Sequence, residues 1–364
     1  MTAIVSPGSV PSARPVSTLS DAGSQFTGGR GYLAACTMGL PSMATRAAVI
    51  ADLDAAASGS ATGAHYTAVV ERTRTSFARL VGVDPSHVAI GSQASAFAGL
   101  LATSVPDGAE VLCAEGDFSS MVLPFVHAGR GVRLRSAPLP ELAEAITADT
   151  WLVVFSIVQS ATGEVADAAA IRAAAANAGA RTLCDATQAV GWLPVDAAQY
   201  DAVICHAYKW LCAPRGVAFL AISEDFGRSI RPAFAGWYAG ADPWSCCYGA
   251  EPALAADASR FDLSPAWQAF VGAEPALELF AALDPAALHV HSTSLAARFR
   301  SAIGIAEPDR SSAIVTWGDA DGADLARLTA AGITASGRAG RARVAFHVFN
   351  DEQDVQDAVV ALRR

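Results

Sequence analysis

The chain has 364 residues, of which 52% are hydrophobic and 16% charged, and it carries a formal net charge of −10. That balance excludes a nucleic acid or an anionic membrane surface as its natural partner. No apolar run approaches the roughly 18 residues of a membrane span, the N-terminus lacks a secretory leader pattern, and the seven cysteines form no C-x-x-C pair, which predicts a cytoplasmic protein with reduced thiols and no metal site.

Residues 1–30 are rich in Ser, Pro, Gly and Thr and read as an irregular arm. Helical character appears over 47–57. The stretch 67–80 sets Val69, Val70, Phe77 and Leu80 on one helical face. A short apolar strand over 87–90 runs into a small-residue turn, 91–95, and a helix over 96–103. Strands at 110–114, 131–134, 151–158, 181–184, 202–205 and 217–222 follow, with an alanine-rich helix at 166–178. Short apolar strands alternating with helices predict an α/β fold with a largely parallel sheet. Beyond about residue 245 the texture changes. Helices over 266–283 and 288–300, a strand at 314–317, a helix at 324–331, a strand at 341–346 and a last helix at 351–362 predict a smaller α+β unit. The expected division is an arm (1–45), a large domain (46–245) and a small C-terminal domain (246–364).

In such sheets ligands gather beyond the ends of the strands. Lys209, the only lysine, follows the apolar run 202–205, whereas a chain of this length ordinarily has about twenty lysines. It is either a poorly placed surface residue or an amine needed for chemistry, a role closed to a guanidinium. Asp185, at a strand end, either caps the next helix or faces a cationic ring nitrogen. The turn Gly91-Ser92-Gln93 is either an ordinary strand-to-helix turn or a phosphate seat made of free N–H groups. Phe118 is either core or a stacking ring. His206 and Tyr208 are within reach of a phosphate held beside Lys209.

A phosphate turn, an aromatic, a strand-end Asp and a lone Lys, in that order, fit a pyridoxal phosphate enzyme of fold type I. From about residue 31 to the last helix, the chain resembles the class-V aminotransferase superfamily, which includes cysteine desulfurases, isopenicillin N epimerase and kynureninase. The resemblance is carried by Asp185-Ala186-Thr187-Gln188, by Asp201 with Lys209-Trp210-Leu211 and Pro214-Arg215-Gly216, and by the run from Arg343 to Asn350. In that run Ala345 and Phe349 replace the usual Ser and Tyr.

The resemblance implies a fold-type I transferase with pyridoxal 5'-phosphate as cofactor, an α-amino acid substrate, and a homodimer with its active site at the subunit interface. It implies that Lys209 anchors the cofactor and moves the Cα proton, and that Asp185 pairs with the ring nitrogen. Gln188 would bond the ring oxygen, Phe118 would stack on the ring, and Ser92, Gln93, His206 and Tyr208 would hold the phosphate. Arg343 would clamp the substrate carboxylate with Ser160 beside it, and Trp237 and Ser264 would reach the partner's cofactor phosphate. Gln159-Ser160 stands where the family has a Ser-Asn pair, and two more features depart from the pattern. No cysteine occurs in 333–343, where desulfurases carry their nucleophile, and Ser120-Met121-Val122 lacks the acidic residue of kynureninases. Transamination is expected first because it needs no extra group. A Cβ–S or Cβ–C lyase and an epimerase are the alternatives. A non-catalytic binding or regulatory protein of the same fold is disfavoured by Lys209, Asp185 and Arg343 standing together.

Overall fold

A computed structural model describes residues 18–251 and 253–363. The first part of the expected arm, up to residue 17, lies outside the described residues. From there the arm is not wholly irregular: α1 (Leu19–Gly23) forms because the Thr18 side chain accepts from the Asp21 N–H. The chain continues through α2 (Met43–Ala57), α3 (Gly63–Leu80), β1 (Val88–Gly91), α4 (Ala94–Ala102), β2 (Glu110–Ala114), α5 (Ser119–Val126), β3 (Arg133–Ala137), α6 (Leu142–Ala145), β4 (Thr150–Ser156) and α7 (Ala168–Ala178). It then forms β5 (Arg181–Asp185), β6 (Ala202–His206), β7 (Ala218–Ile222), α8 (Glu224–Ser229), α9 (Trp267–Ala281) and α10 (Pro285–Ala302). The last elements are β8 (Ile314–Gly318), α11 (Ala323–Ala330), β9 (Ser336–Arg338), β10 (Arg341–Ala345) and α12 (Glu352–Leu362).

Seven strands form one sheet in the order β1-β7-β6-β5-β4-β2-β3. β3, β2, β4, β5 and β6 run parallel, and β7 pairs antiparallel with both β6 and β1. The architecture is α/β with a mostly parallel central sheet. Both faces are covered, which is why the strands read as continuous apolar runs. Val153 and Phe155 enter the core on one face with Phe77 and Phe270, while Leu152 and Val154 enter the other with Phe97 and Phe125. A second sheet, β8-β10-β9, is antiparallel and packs α10 and α12 over a third core around Phe299 and Phe346. α9, within the stretch expected to be small-domain, packs on α2 and α3. No helix of the described residues is long and apolar enough to cross a membrane.

The differences from the expected elements have local causes. The strand expected at 131–134 starts two residues later because Gly131 turns the chain at φ 71°. α5 was not legible because it lacks a side-chain cap and contains Pro124. β9 is three residues long and contains Gly337, so it carries no alternation to read.

Candidate active site

The parallel strands deliver their C-terminal ends to one cavity. β4 brings Ser156, β5 brings Asp185, and β6 brings His206 and the turn that holds Lys209. β1 leads into α4, whose N-cap is Gln93; its side chain makes no capping bond, so the first N–H groups of the helix are left for another acceptor. Gln93, Phe118, Ser160, Asp185, Gln188, His206, Tyr208 and Lys209 all line this cavity.

Lys209 is 6% exposed. Burial lowers its amine to about 8; Asp185 opposes the shift, and Arg343 and Arg338 add to it. A buried amine near neutrality is a nucleophile at ordinary pH. The Phe118 ring lies 5.4 Å from its Nζ. Asp117 fixes that ring's backbone by accepting from the Phe118 N–H at 2.7 Å while also holding the Ser156 N–H at 2.7 Å and its hydroxyl at 2.5 Å.

Asp185 is 6% exposed and accepts the Thr187 N–H at 2.8 Å. Asp185 caps no helix, because residues 187–192 form a turn; its carboxylate ties that turn and lines the cavity. Burial raises its carboxyl; Thr187 opposes the rise, Asp117 adds to it and Lys209 lowers it. His206 has an Nε2 that is buried without a partner. Burial, Arg215 and Lys209 push its imidazole down to about 4. Its ring meets Tyr208 edge-on at 4.4 Å.

Gln188 is held at both ends. Its Oε1 accepts from the Trp210 indole N–H at 2.8 Å, and its Nε2 donates to the Cys36 carbonyl at 2.8 Å and the Ser160 hydroxyl at 3.1 Å. Arg343, 1% exposed, does not itself line the cavity. It donates to the Ser160 carbonyl, to the Thr37 hydroxyl at 2.8 Å and to the Ser336 hydroxyl at 3.2 Å. Burial lowers its guanidinium, and no carboxylate is among the groups acting on it. A guanidinium has five N–H donors, so two remain.

Ser92 is not brought to the cavity wall; its neighbours Gln93, Ala94 and Ser95 are. Trp237 and Ser264 also lie off the wall, joined to each other by a 3.3 Å hydrogen bond from the indole N–H. Sequence reasoning missed Ser156, Thr187 and Arg215 as wall residues. Thr187 and Arg215 sit inside the two motifs that carry the resemblance, which was signal enough to find them. Ser156 had none beyond its place at a strand end.

A partnerless imidazole nitrogen beside an uncapped helix N-terminus suits a phosphate, and a buried carboxylate facing a buried amine suits a cationic ring with an aldehyde. These residues fit pyridoxal phosphate.

The family model for Aminotransferase class-V matches residues 50–357. Among curated proteins, isopenicillin N epimerase of Streptomyces clavuligerus is 32% identical over 187 residues, 47% of each chain. Kynureninase of Deinococcus radiodurans is 30% identical over 64% of this chain and 59% of its own length. The chain spans about half the length of the curated relatives it matches. The cysteine desulfurase CsdA of Escherichia coli superposes with a TM-score of 0.81 at 18% identity, covering 95% of this chain and 98% of that one. That likeness shows the shared fold.

Proposed function

Because the chain belongs to the class-V aminotransferase family, whose members use pyridoxal phosphate, we propose that it transforms an α-amino acid, with transamination as the leading reaction. The observation that carries this reading is the buried Lys209 amine, lowered to about 8, beside Asp185. The bound cofactor supplies a ring that draws electrons from the substrate Cα. Lys209 anchors it and carries the proton to and from Cα. Asp185 keeps a proton on the ring nitrogen. The α4 N-terminus, His206 and Tyr208 hold the phosphate, with Ser92 in the turn that precedes α4. Gln188 borders the ring oxygen, Ser160 stands on the substrate side beside Arg343, and Phe118 covers one face and excludes water. Arg343 offers its two remaining N–H groups to the α-carboxylate.

The same reading divides the chain into an arm (1–45), a large unit that holds Lys209 (46–245) and a small unit that brings Arg343 (246–364). It also makes the protein a homodimer. An apolar groove lined by Met38, Val49 and Ile50 shares Tyr208 and Arg215 with the cavity, so a partner seated there would border the active site. Trp237 and Ser264 would serve the partner's phosphate.

Similarity to isopenicillin N epimerase supports a second reading, inversion at Cα. The deciding experiment incubates cofactor-loaded protein with single amino acids in deuterated water, with and without a keto-acid acceptor. Acceptor-dependent keto-acid formation supports transamination. Deuterium at Cα with loss of optical purity and no acceptor requirement supports epimerisation.

A further inference from the structure

Arg343 accounts for one carboxylate, and a second unpaired cation stands beyond it. β9 and β10 form a tight hairpin in which Ser336 lies opposite Arg343 and Arg338 opposite Arg341. Ala339 at φ 50° and Gly340 at φ 71° make the two-residue turn. Residues directly opposite in a sheet share a face, as do alternate residues of one strand. Ser336, Arg338, Arg341 and Arg343 therefore occupy the same face. That face backs onto the active-site wall, because Arg343 on it donates to the carbonyl of Ser160, which lines the cavity, and its Nε donates to the Ser336 hydroxyl at 3.2 Å. Two strand residues carry the chain about 7 Å from Ser336 to Arg338.

Arg338 is exposed and has no acidic partner among the described residues; its guanidinium donates to the Gly337 carbonyl at 2.7 Å. Its charge reaches both Lys209 and Arg343, disfavouring protonation of each. Arg341, directly opposite, is tied to the Thr316 carbonyl at 3.2 Å and hydroxyl at 3.1 Å, again with no carboxylate. Like charges placed opposite each other destabilise a sheet. The protein has 35 acidic side chains against 25 basic ones, yet none of the described ones neutralises this stripe. An anion from outside the chain would relieve it.

We propose that Arg338 recognises a distal carboxylate on the substrate, so that the amino acids taken by this site are those with an anionic side chain. This rests on the reading of Arg343 as the α-carboxylate clamp. The two arginines lie on one face within a few residues of each other, which fits two ends of one small molecule.

The test is calorimetric binding of glutarate and adipate, each against the monocarboxylate of equal chain length, to the cofactor-loaded protein. The dicarboxylates should bind about tenfold or more tightly, the worth of one charge-assisted contact. Arg338→Gln should bring that ratio close to one, Arg338→Lys should keep part of it, and Arg343→Gln should weaken both classes of ligand. No dicarboxylate preference in the wild type, or the same preference in Arg338→Gln, would overturn the proposal. Because binding is read without turnover, a preserved preference in a protein that converts no amino acid would sink the enzymatic reading alone.

Discussion

His347 and Trp210 are joined twice: the His347 Nε2–H donates to the Trp210 carbonyl at 2.9 Å, and the two rings stack at 5.3 Å and 15°. The Nδ1 of His347 accepts from the Val348 N–H at 2.8 Å, which leaves the ring proton on Nε2. Burial pushes the imidazole down to about 4, so the ring stays neutral and the donor is kept. Trp210 follows Lys209 and steers Gln188 through its indole N–H. The segment just after β10 thus braces the turn that carries Lys209.

His347→Phe keeps a stacking ring and removes the donor. It should cost about 1–3 kcal/mol, the penalty for a buried carbonyl left unpaired, as read by urea denaturation. It should also lower kcat more than it raises KM, because the turn loosens while Arg343 is untouched. His347→Gln should recover part of kcat.

Uptake of pyridoxal phosphate by the apo-protein should depend on pH through Lys209. Below about 8 the amine is protonated and cannot attack an aldehyde; above it the amine is free. The uptake rate should therefore rise with pH and level off above about 8. An exposed lysine would keep rising towards 10.5. Stopped-flow absorbance across this range reads the midpoint.

Asp185→Ala should fold, since the turn retains the Ala186 N–H bond to the Ile204 carbonyl at 2.8 Å. Turnover should fall by a factor on the order of 10² or more, as for loss of a preorganised electrostatic partner. Steady-state kinetics against a circular-dichroism control checks it. Turnover near that of the wild type would mean the ring nitrogen meets another group.

Asp262 and Arg74 form a buried ion pair at 2.6 Å that pins α3 to β1, since Arg74 also donates to the Val88 carbonyl and Asp262 accepts the Ile90 N–H. Burial pushes the Asp262 carboxyl up to about 7 against the pull of Arg74. Asp262→Ala should cost about 3 kcal/mol, because it removes the buried partner of Arg74 and leaves that guanidinium only the half-exposed Glu71 carboxylate and the Val88 carbonyl. The double variant with Arg74→Met should recover part of that loss in thermal unfolding.

Much of this was legible before any coordinates. The apolar strands that end at Ser156, Asp185 and His206 are short runs whose ends read to within two residues, and Lys209 announced itself by being alone. What stayed hidden depended on tertiary contacts. The imidazole of His347 reads as one residue of a familiar motif until Trp210 is seen beneath it. Arg338 looks like one arginine among many until its register places it on the face of Arg343. The reversed direction of β7 also leaves no trace in a strand buried on both faces.

The central claim is that Lys209 holds the cofactor. Borohydride reduction of the protein incubated with pyridoxal phosphate, followed by peptide mass spectrometry, tests it directly. A reduced cofactor adduct should appear on the peptide containing Lys209, the only lysine side chain in the sequence, and should vanish in Lys209→Ala. A wild type with no adduct, or an adduct that survives in Lys209→Ala, would contradict the account.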